Sequence, residues 1–221
     1  MTEQQETQGI AVTLYFATKA IHHEAETTGV IRHLLRGNAS REGYVMLMRN
    51  VLPAYRALEQ GLAQHRANPA LFELAGFAFD RAGATEADLH ALCGGDFASI
   101  SLLSEGEAYA ARIAEVSQGD PTRLIAHAYT RYLGDLSGGQ ILRRLLKKSL
   151  DLQENELSFY DFPRFPDLTA LKTEYRNAID RAGALANDKE AIVAEAMRAF
   201  QLNIDVSCAV DAHLAGRAAA E

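Results

Sequence analysis

The stretch that decides the fold is His127-Ala-Tyr-Thr-Arg-Tyr-Leu-Gly-Asp-Leu-Ser-Gly-Gly-Gln140. Its apolar residues recur at helical steps, yet Gly134, Gly138 and Gly139 fall within six positions of it. Each glycine inside a helix costs about 1 kcal/mol relative to alanine. Three of them need a return, either a kink or tight helix crossing, or a backbone left bare so that a flat ligand can lie against it. Asp135 sits among these glycines. A carboxylate at such a place can organise water and relay protons, or it can be an ordinary solvated or capping group.

Outward from that segment, helical spacing dominates and alternating strand patterns are scarce. A helix is expected from about Val12 to Arg36, stopped by Gly37-Asn38. A second starts behind Ser40 and carries the stripe Tyr44, Leu47, Met48, Val51, Tyr55 and Leu58, with Pro53 predicting a kink. Asn68-Pro69 breaks the chain. Thr85, with Glu86 and Asp88 behind it, reads as a helix start, and that helix ends near Cys93-Gly94-Gly95. Further helices are expected from Ser104 to about Val116, from Pro121 to Leu150 with glycine interruptions, from Leu168 to Ala182 and from Asp188 to about Ala215. A proline-aromatic loop, Phe159 to Pro166, lies between them. With no repeat and no linker, one all-α domain over residues 1–221 is the economical reading, with loose ends at 1–10 and 216–221.

Composition narrows the function. With 48% hydrophobic and 23% charged residues and a net charge of −7, the chain reads as a soluble globular protein and not as a basic nucleic-acid binder. Cys93 and Cys208 are far apart, form no CxxC and read as core residues suited to a reducing cytoplasm. The opening MTEQQETQG lacks a secretion pattern, and no apolar run approaches about 18 residues, so neither a signal nor a membrane anchor is expected.

The first helix carries His22, His23 and Glu26. His22 and Glu26 are four apart and share a face, whereas His23 points about 100° away. An imidazole can ligate a metal through one nitrogen while the other meets a carboxylate; an exposed His-Glu pair is the plain alternative. The absence of any Glu-x-x-His pair disfavours a di-metal carboxylate centre. Lys19 lies one turn before His22, and Lys172 and Arg176 share a face of a late helix. They are solvated charges or clamps for an anionic ligand.

Tyr129-Thr-Arg-Tyr-Leu-Gly-Asp-Leu-Ser-Gly-Gly-Gln140, extended upstream by His127-Ala128, resembles the signature of the haem oxygenases. Ala17-Thr-Lys-Ala-Ile-His22 with Ala25-Glu26 resembles that family's proximal helix, and Arg41-Glu-Gly-Tyr44 and Tyr55-Arg-Ala-Leu-Glu59 its second helix. Phe162-Pro163, Lys172, Tyr175-Arg176, Phe200 and Leu202-Asn203-Ile204 extend the likeness. It spans about residues 12 to 206 and is weakest between 66 and 105. The resemblance implies a single-domain helical fold with haem b between a proximal helix and a distal helix kinked at its glycines. It implies His22 as the axial iron ligand, paired with Glu26 and with His23 as second choice. It implies Asp135 as anchor of the distal water network, with Arg131 and Tyr55 beside it, and Gly134, Gly138 and Gly139 against haem. Lys19, Tyr129, Lys172 and Arg176 fall near the propionates.

The implied activity is opening of haem at a meso carbon, α by default, to biliverdin, CO and ferrous iron. Haem is cofactor and substrate, O2 is consumed, and electrons come from a ferredoxin, flavodoxin or reductase. No nucleotide-binding or iron–sulfur motif occurs in the chain. Arg143, Arg144, Lys147 and Lys148 could dock such a donor or simply complement a helix end. Two positions depart from the family pattern: Tyr15 stands where many relatives have lysine, and Ser207 where they have an aromatic. A haem carrier or sensor on the same fold is the main competing reading. A thiamin-degrading hydrolase, which needs a pocket cysteine, and a di-metal oxidase stand further off.

Overall fold

The computed structural model describes residues 9–94 and 96–219. Among them the regular structure is helical throughout: α1 (Ile10–Thr27), α2 (Gly29–Leu35), α3 (Arg41–Gln64), α4 (Phe72–Phe77), α5 (Arg81–Cys93), α6 (Ser104–Gln118), α7 (Leu124–Ala128), α8 (Gly134–Ser137), α9 (Gly139–Leu150), α10 (Leu168–Leu185) and α11 (Lys189–Ala218), with short 3-10 turns between. Of the expected loose ends, 1–8 and 220–221 lie outside the described residues. Ile10 already opens α1, and α11 runs on through Ala218.

α4 was not expected and α10 runs on past Ala182 to Leu185; two further boundaries differ from the sequence reading. The helix expected from Val12 to Arg36 is broken at Thr28, which is extended, and at Gly29, whose φ is +53°. The cause is distant in sequence. A Cβ on Gly29 would sit 2.4 Å from the backbone of Ser207 on α11. The Ser207 hydroxyl accepts the Ile31 N–H at 3.1 Å and donates to the Thr28 carbonyl at 3.4 Å. The turn lets α1 and α2 both pack on α11. Ser207, 1% exposed, thus caps α2 from across the fold. The second difference is the start of α5, at Arg81 and not at Thr85. Asp80 caps it through Gly83 N–H at 3.2 Å, and buried Thr85 donates back to the Arg81 carbonyl at 2.6 Å.

Other starts obey the local signals. Ser40 caps α3, Asp167 caps α10 and Asp188 caps α11. Gly94, left-handed at φ +70°, closes α5; Gly95 lies outside the described residues. α3 stays helical through Pro53, where a kink was expected. It packs along α6, and a Cβ on Gly106 would lie 2.7 Å from the Asn50 carbonyl, so the bare glycine sets how closely the pair approaches.

The proline-aromatic segment is folded into the core, with Phe159, Tyr160 and Phe162 buried. Asp88 accepts the Ser158 and Phe159 N–H groups at 2.7 and 2.8 Å, and the buried Arg81 guanidinium lies 4.2 Å over the Phe162 ring. Both cysteines, expected in the core, are exposed. Cys208 comes after Val206 and Ser207 on α11 and falls on the opposite, outer face.

Candidate functional site

From Leu124 to Leu150 the chain is one interrupted rod. α7 passes into a π-helical turn over Tyr129–Leu133, and the α form resumes at Gly134, breaks at Gly138 and resumes at Gly139. A π turn widens the helix and shifts the register of the residues beyond it. Here it swings Arg131 and Asp135 inward while the glycines line a cavity wall.

Arg131, Tyr55 and Asp135 form one connected chain. The Tyr55 hydroxyl donates to the Asp135 carboxylate, 2.9 Å from either oxygen, and accepts from the Arg131 guanidinium, which also lies 4.6 Å over the Tyr55 ring. Tyr55 and Asp135 are buried and Arg131 is half-buried. Burial pushes the Asp135 carboxyl up, against the opposing pull of Arg131 and the Tyr55 hydroxyl. Burial also pushes the Tyr55 phenol up. Two residues to which the sequence reading gave no role complete the chain. Arg131 donates to Asn203 on α11, and Asn203 donates to the Tyr109 hydroxyl at 3.1 Å. Asn203 lay within the family likeness without a role; Tyr109 carried no signal.

Two cavities meet beside this chain. The inner one, about 200 Å3, is lined by Asp135, Arg131, Gly134, Gly138 and Gly139 together with His22. The outer one, about 730 Å3, gathers Lys19, Tyr129, Lys172 and Arg176 from three elements, with Tyr15 and His23 at its wall. They share His22, Glu26, Thr130, Gly134 and Phe200. Both histidines therefore reach the outer cavity, but only His22 also reaches the inner one. Its Nδ1 lies 3.7 Å from Glu26, an ion-pair distance too long for a hydrogen bond, and its ring meets Phe200 edge-on at 5.5 Å.

The glycines are not equivalent. A Cβ on Gly134 would meet nothing within 4 Å, and one on Gly138 only the Gly134 carbonyl at 3.6 Å. A Cβ on Gly139 would come 3.3 Å from the Tyr160 ring, so that glycine also serves packing. The fit to a flat dianionic macrocycle is good on three counts. There is bare backbone at Gly134 and Gly138, three cations and two phenols surround the larger cavity, and a buried Thr130 hydroxyl without a partner lies where the two cavities meet.

His127 is a core histidine held through one nitrogen, its buried Nδ1 having no partner. Its Nε2 lies 3.0 Å from Glu195, which Arg112 also grips. Burial lowers the imidazole's proton affinity. Burial opposes the Glu195 charge too, but His127 and Arg112 outweigh it and hold the carboxyl down at about 2. The pair is therefore a neutral imidazole donating to a carboxylate. No group of three or more His, Cys, Asp or Glu side chains able to hold a metal ion occurs among the described residues. In the basic run after the glycines, Arg143 pairs with Glu154 and Asp161, and Lys147 with Glu154. Arg144 and Lys148 make no ion pair among the described residues.

A family model described as Heme oxygenase matches residues 8–209. The chain is 35% identical to heme oxygenase 1 of Nostoc sp. over 197 residues, 88% of this chain and 83% of that one. It is 33% identical to human heme oxygenase 1 over 204 residues, 90% of this chain and 70% of that one. Among solved structures it is similar to heme oxygenase-1 of Synechocystis sp. in complex with heme, with a TM-score of 0.88, 31% identity and 96% of each chain covered. It is also similar to the heme oxygenase of Leptospira interrogans, with a TM-score of 0.85, 31% identity and 91% and 99% covered.

Proposed function

The chain belongs to the haem oxygenase family, and on that footing we propose that it opens haem b at a meso carbon, giving biliverdin, CO and ferrous iron at the expense of O2 and external electrons. The observation that carries this reading is the Arg131–Tyr55–Asp135 chain, its phenol and carboxylate buried, which ends at the wall of the cavity bordered by His22 and the bare glycines. A protein that only carried haem would have no use for a buried carboxylate wired to a guanidinium beside the ligand. When bound, haem supplies the iron that activates O2 and the ring that is opened.

The protein's part is to hold, orient and deliver protons. In this reading His22 would hold the haem iron, supported by its place where the two cavities join. Glu26, 3.7 Å from His22 Nδ1, would steady that nitrogen. Lys19, Lys172, Arg176 and the Tyr129 hydroxyl clamp the propionates. Tyr15 stands at the same rim in place of a lysine, which removes one cation and leaves the clamp to the others. That clamp sets the rotation of the ring and so the isomer, for which α is the expectation. Gly134 and Gly138 let the ring and water approach the backbone. Tyr55 donates to Asp135 and Arg131 pins Tyr55, so the carboxylate is fixed to accept from and orient water, which passes protons toward the reacting oxygen.

A single core runs through the described residues, which supports one haem oxygenase domain over the chain. No helix among them is long and apolar enough to cross a membrane. The unpaired, exposed cysteines suit a reducing cytoplasm. Electrons come from a ferredoxin, flavodoxin or reductase, and Arg144 and Lys148 are the cations left to meet an acidic partner. The test is a titration with ferric haem. Wild type and His23→Ala should give the same histidine-ligated Soret spectrum and His22→Ala should lose it. The reverse pattern moves the ligand to His23.

A further inference from the structure

Behind Asp135 the inner cavity runs between aliphatic side chains such as Ile31, Leu34, Leu47 and Val51. Two phenols interrupt that apolar lining. Tyr44, from α3, is 1% exposed, and its hydroxyl makes no well-formed hydrogen bond; the one group within reach of it is the Tyr160 hydroxyl. Tyr160, from the aromatic loop, is 4% exposed and borders the same space, as do Asp135 and Arg131. The two hydroxyls lie near enough to act on one another's proton affinity, and Asp135 lies near enough to act on that of Tyr160.

A hydroxyl buried without a partner is a net cost to folding, and phenylalanine would fill the same wall without it. The cost disappears if something in the chamber hydrogen-bonds to the phenol. A water molecule takes about 30 Å3 and needs two to four polar partners. The chamber, at about 200 Å3, is roomy enough for several, and Tyr44, Tyr160 and the Asp135 carboxylate supply such partners.

We propose that Tyr44 and Tyr160 anchor a hydrogen-bonded water cluster in this inner chamber, continuous with the Asp135 carboxylate, and are positioning residues for proton supply from the side remote from the propionate clamp. The water site rests on the chamber alone; its use in proton supply rests on the haem oxygenase reading. Burial pushes both phenols up, so each stays protonated and orients water without giving up its own proton. A proton passed toward Asp135 leaves one water of the cluster and is replaced by the next.

The test uses Tyr44→Phe, Tyr160→Phe and the double variant, which keep the rings and so the packing. In the haem-free protein a partnerless Tyr44 hydroxyl makes Tyr44→Phe melt higher. A hydroxyl that holds water makes Tyr44→Phe melt lower, by about 2–4 °C, even in the Tyr160→Phe background, where no Tyr44–Tyr160 bond is left to lose. A crystal structure of the wild type should show ordered water within hydrogen-bond distance of both phenols, missing from the double variant. With haem bound, the double variant should keep its haem affinity, lose about tenfold in single-turnover rate, one hydrogen bond's worth, and show a changed pH profile. A higher melting point, or a chamber without ordered water, overturns the water site. Ordered water with an unchanged rate and pH profile overturns its role in proton supply. A wild type that never consumes haem defeats the family-based activity and leaves the melting and crystallographic results to decide the water site by themselves.

Discussion

Asp135 carries the sharpest predictions at the scale of single residues. Its carboxyl binds a proton more tightly in the fold than the ordinary 3.8, so the folded state holds more protons than the unfolded one between 3.8 and the raised value. Stability is then lost as pH rises through that window. Asp135→Asn, always neutral, should melt higher than wild type at pH 7, with the gap closing toward pH 4, while bilin formation falls by about 100-fold or more. Equal melting curves at pH 7 would show that the carboxylate carries no such cost. Glu195 has the opposite sign. Its carboxyl is depressed to about 2, so its contribution is complete above its ordinary 4.5 and lost as pH falls from there toward 2. Glu195→Gln should cost about 2 kcal/mol at pH 7 by taking the charged acceptor from His127 and from Arg112, which keeps only Glu115, and urea unfolding at pH 7 and pH 3 should show the difference shrinking in acid. Asp135 and Arg131 were legible because the motif is long, and Tyr55 through the separate likeness of Tyr55-Arg-Ala-Leu-Glu59. Tyr109 was not, because its link to Asn203 spans 94 positions and exists only once α6 and α11 pack.

Among the elements, the interrupted distal rod trades stability for access. Nothing crowds a Cβ on Gly134, and Gly138 meets only a carbonyl at 3.6 Å. Gly138→Ala should therefore raise the haem-free melting temperature, through about 1 kcal/mol of helix propensity, and weaken haem binding at least tenfold, as read by Soret titration. Tighter haem binding in that variant would remove the glycines from the ligand surface. Gly29→Ala should destabilise. At φ +53° and 2.4 Å from the Ser207 backbone, it should cost more than about 3 kcal/mol, measurable by denaturant unfolding. Helix existence and most starts were readable from local caps such as Ser40, Asp167 and Asp188. The break at Thr28 was not, since it answers to Ser207 across the fold. The start of α5 was missed because Asp80 caps it from a left-handed backbone that the Thr85-Glu86 pattern masked.

For the whole molecule, the helices bring residues from α1, the π turn and α10 around one outer cavity, while α3 and α11 brace the distal chain from behind. Periodicity and the absence of strand patterns were enough to read an all-α architecture. The assembly of Lys19, Tyr129, Lys172 and Arg176 was readable only through the family likeness, because their spacing in the chain carries no geometry by itself. The cysteines show the limit in the other direction: composition placed them inside, and helix phase puts them outside. The central claim is that this cavity consumes the haem it binds. One equivalent of ferric haem is added to the purified protein, then ascorbate or a ferredoxin reducing system in air with catalase present, and the absorbance is monitored through a single turnover. Loss of the Soret band with growth of a bilin band is the predicted result; a Soret band that binds O2 or CO and never bleaches would contradict it.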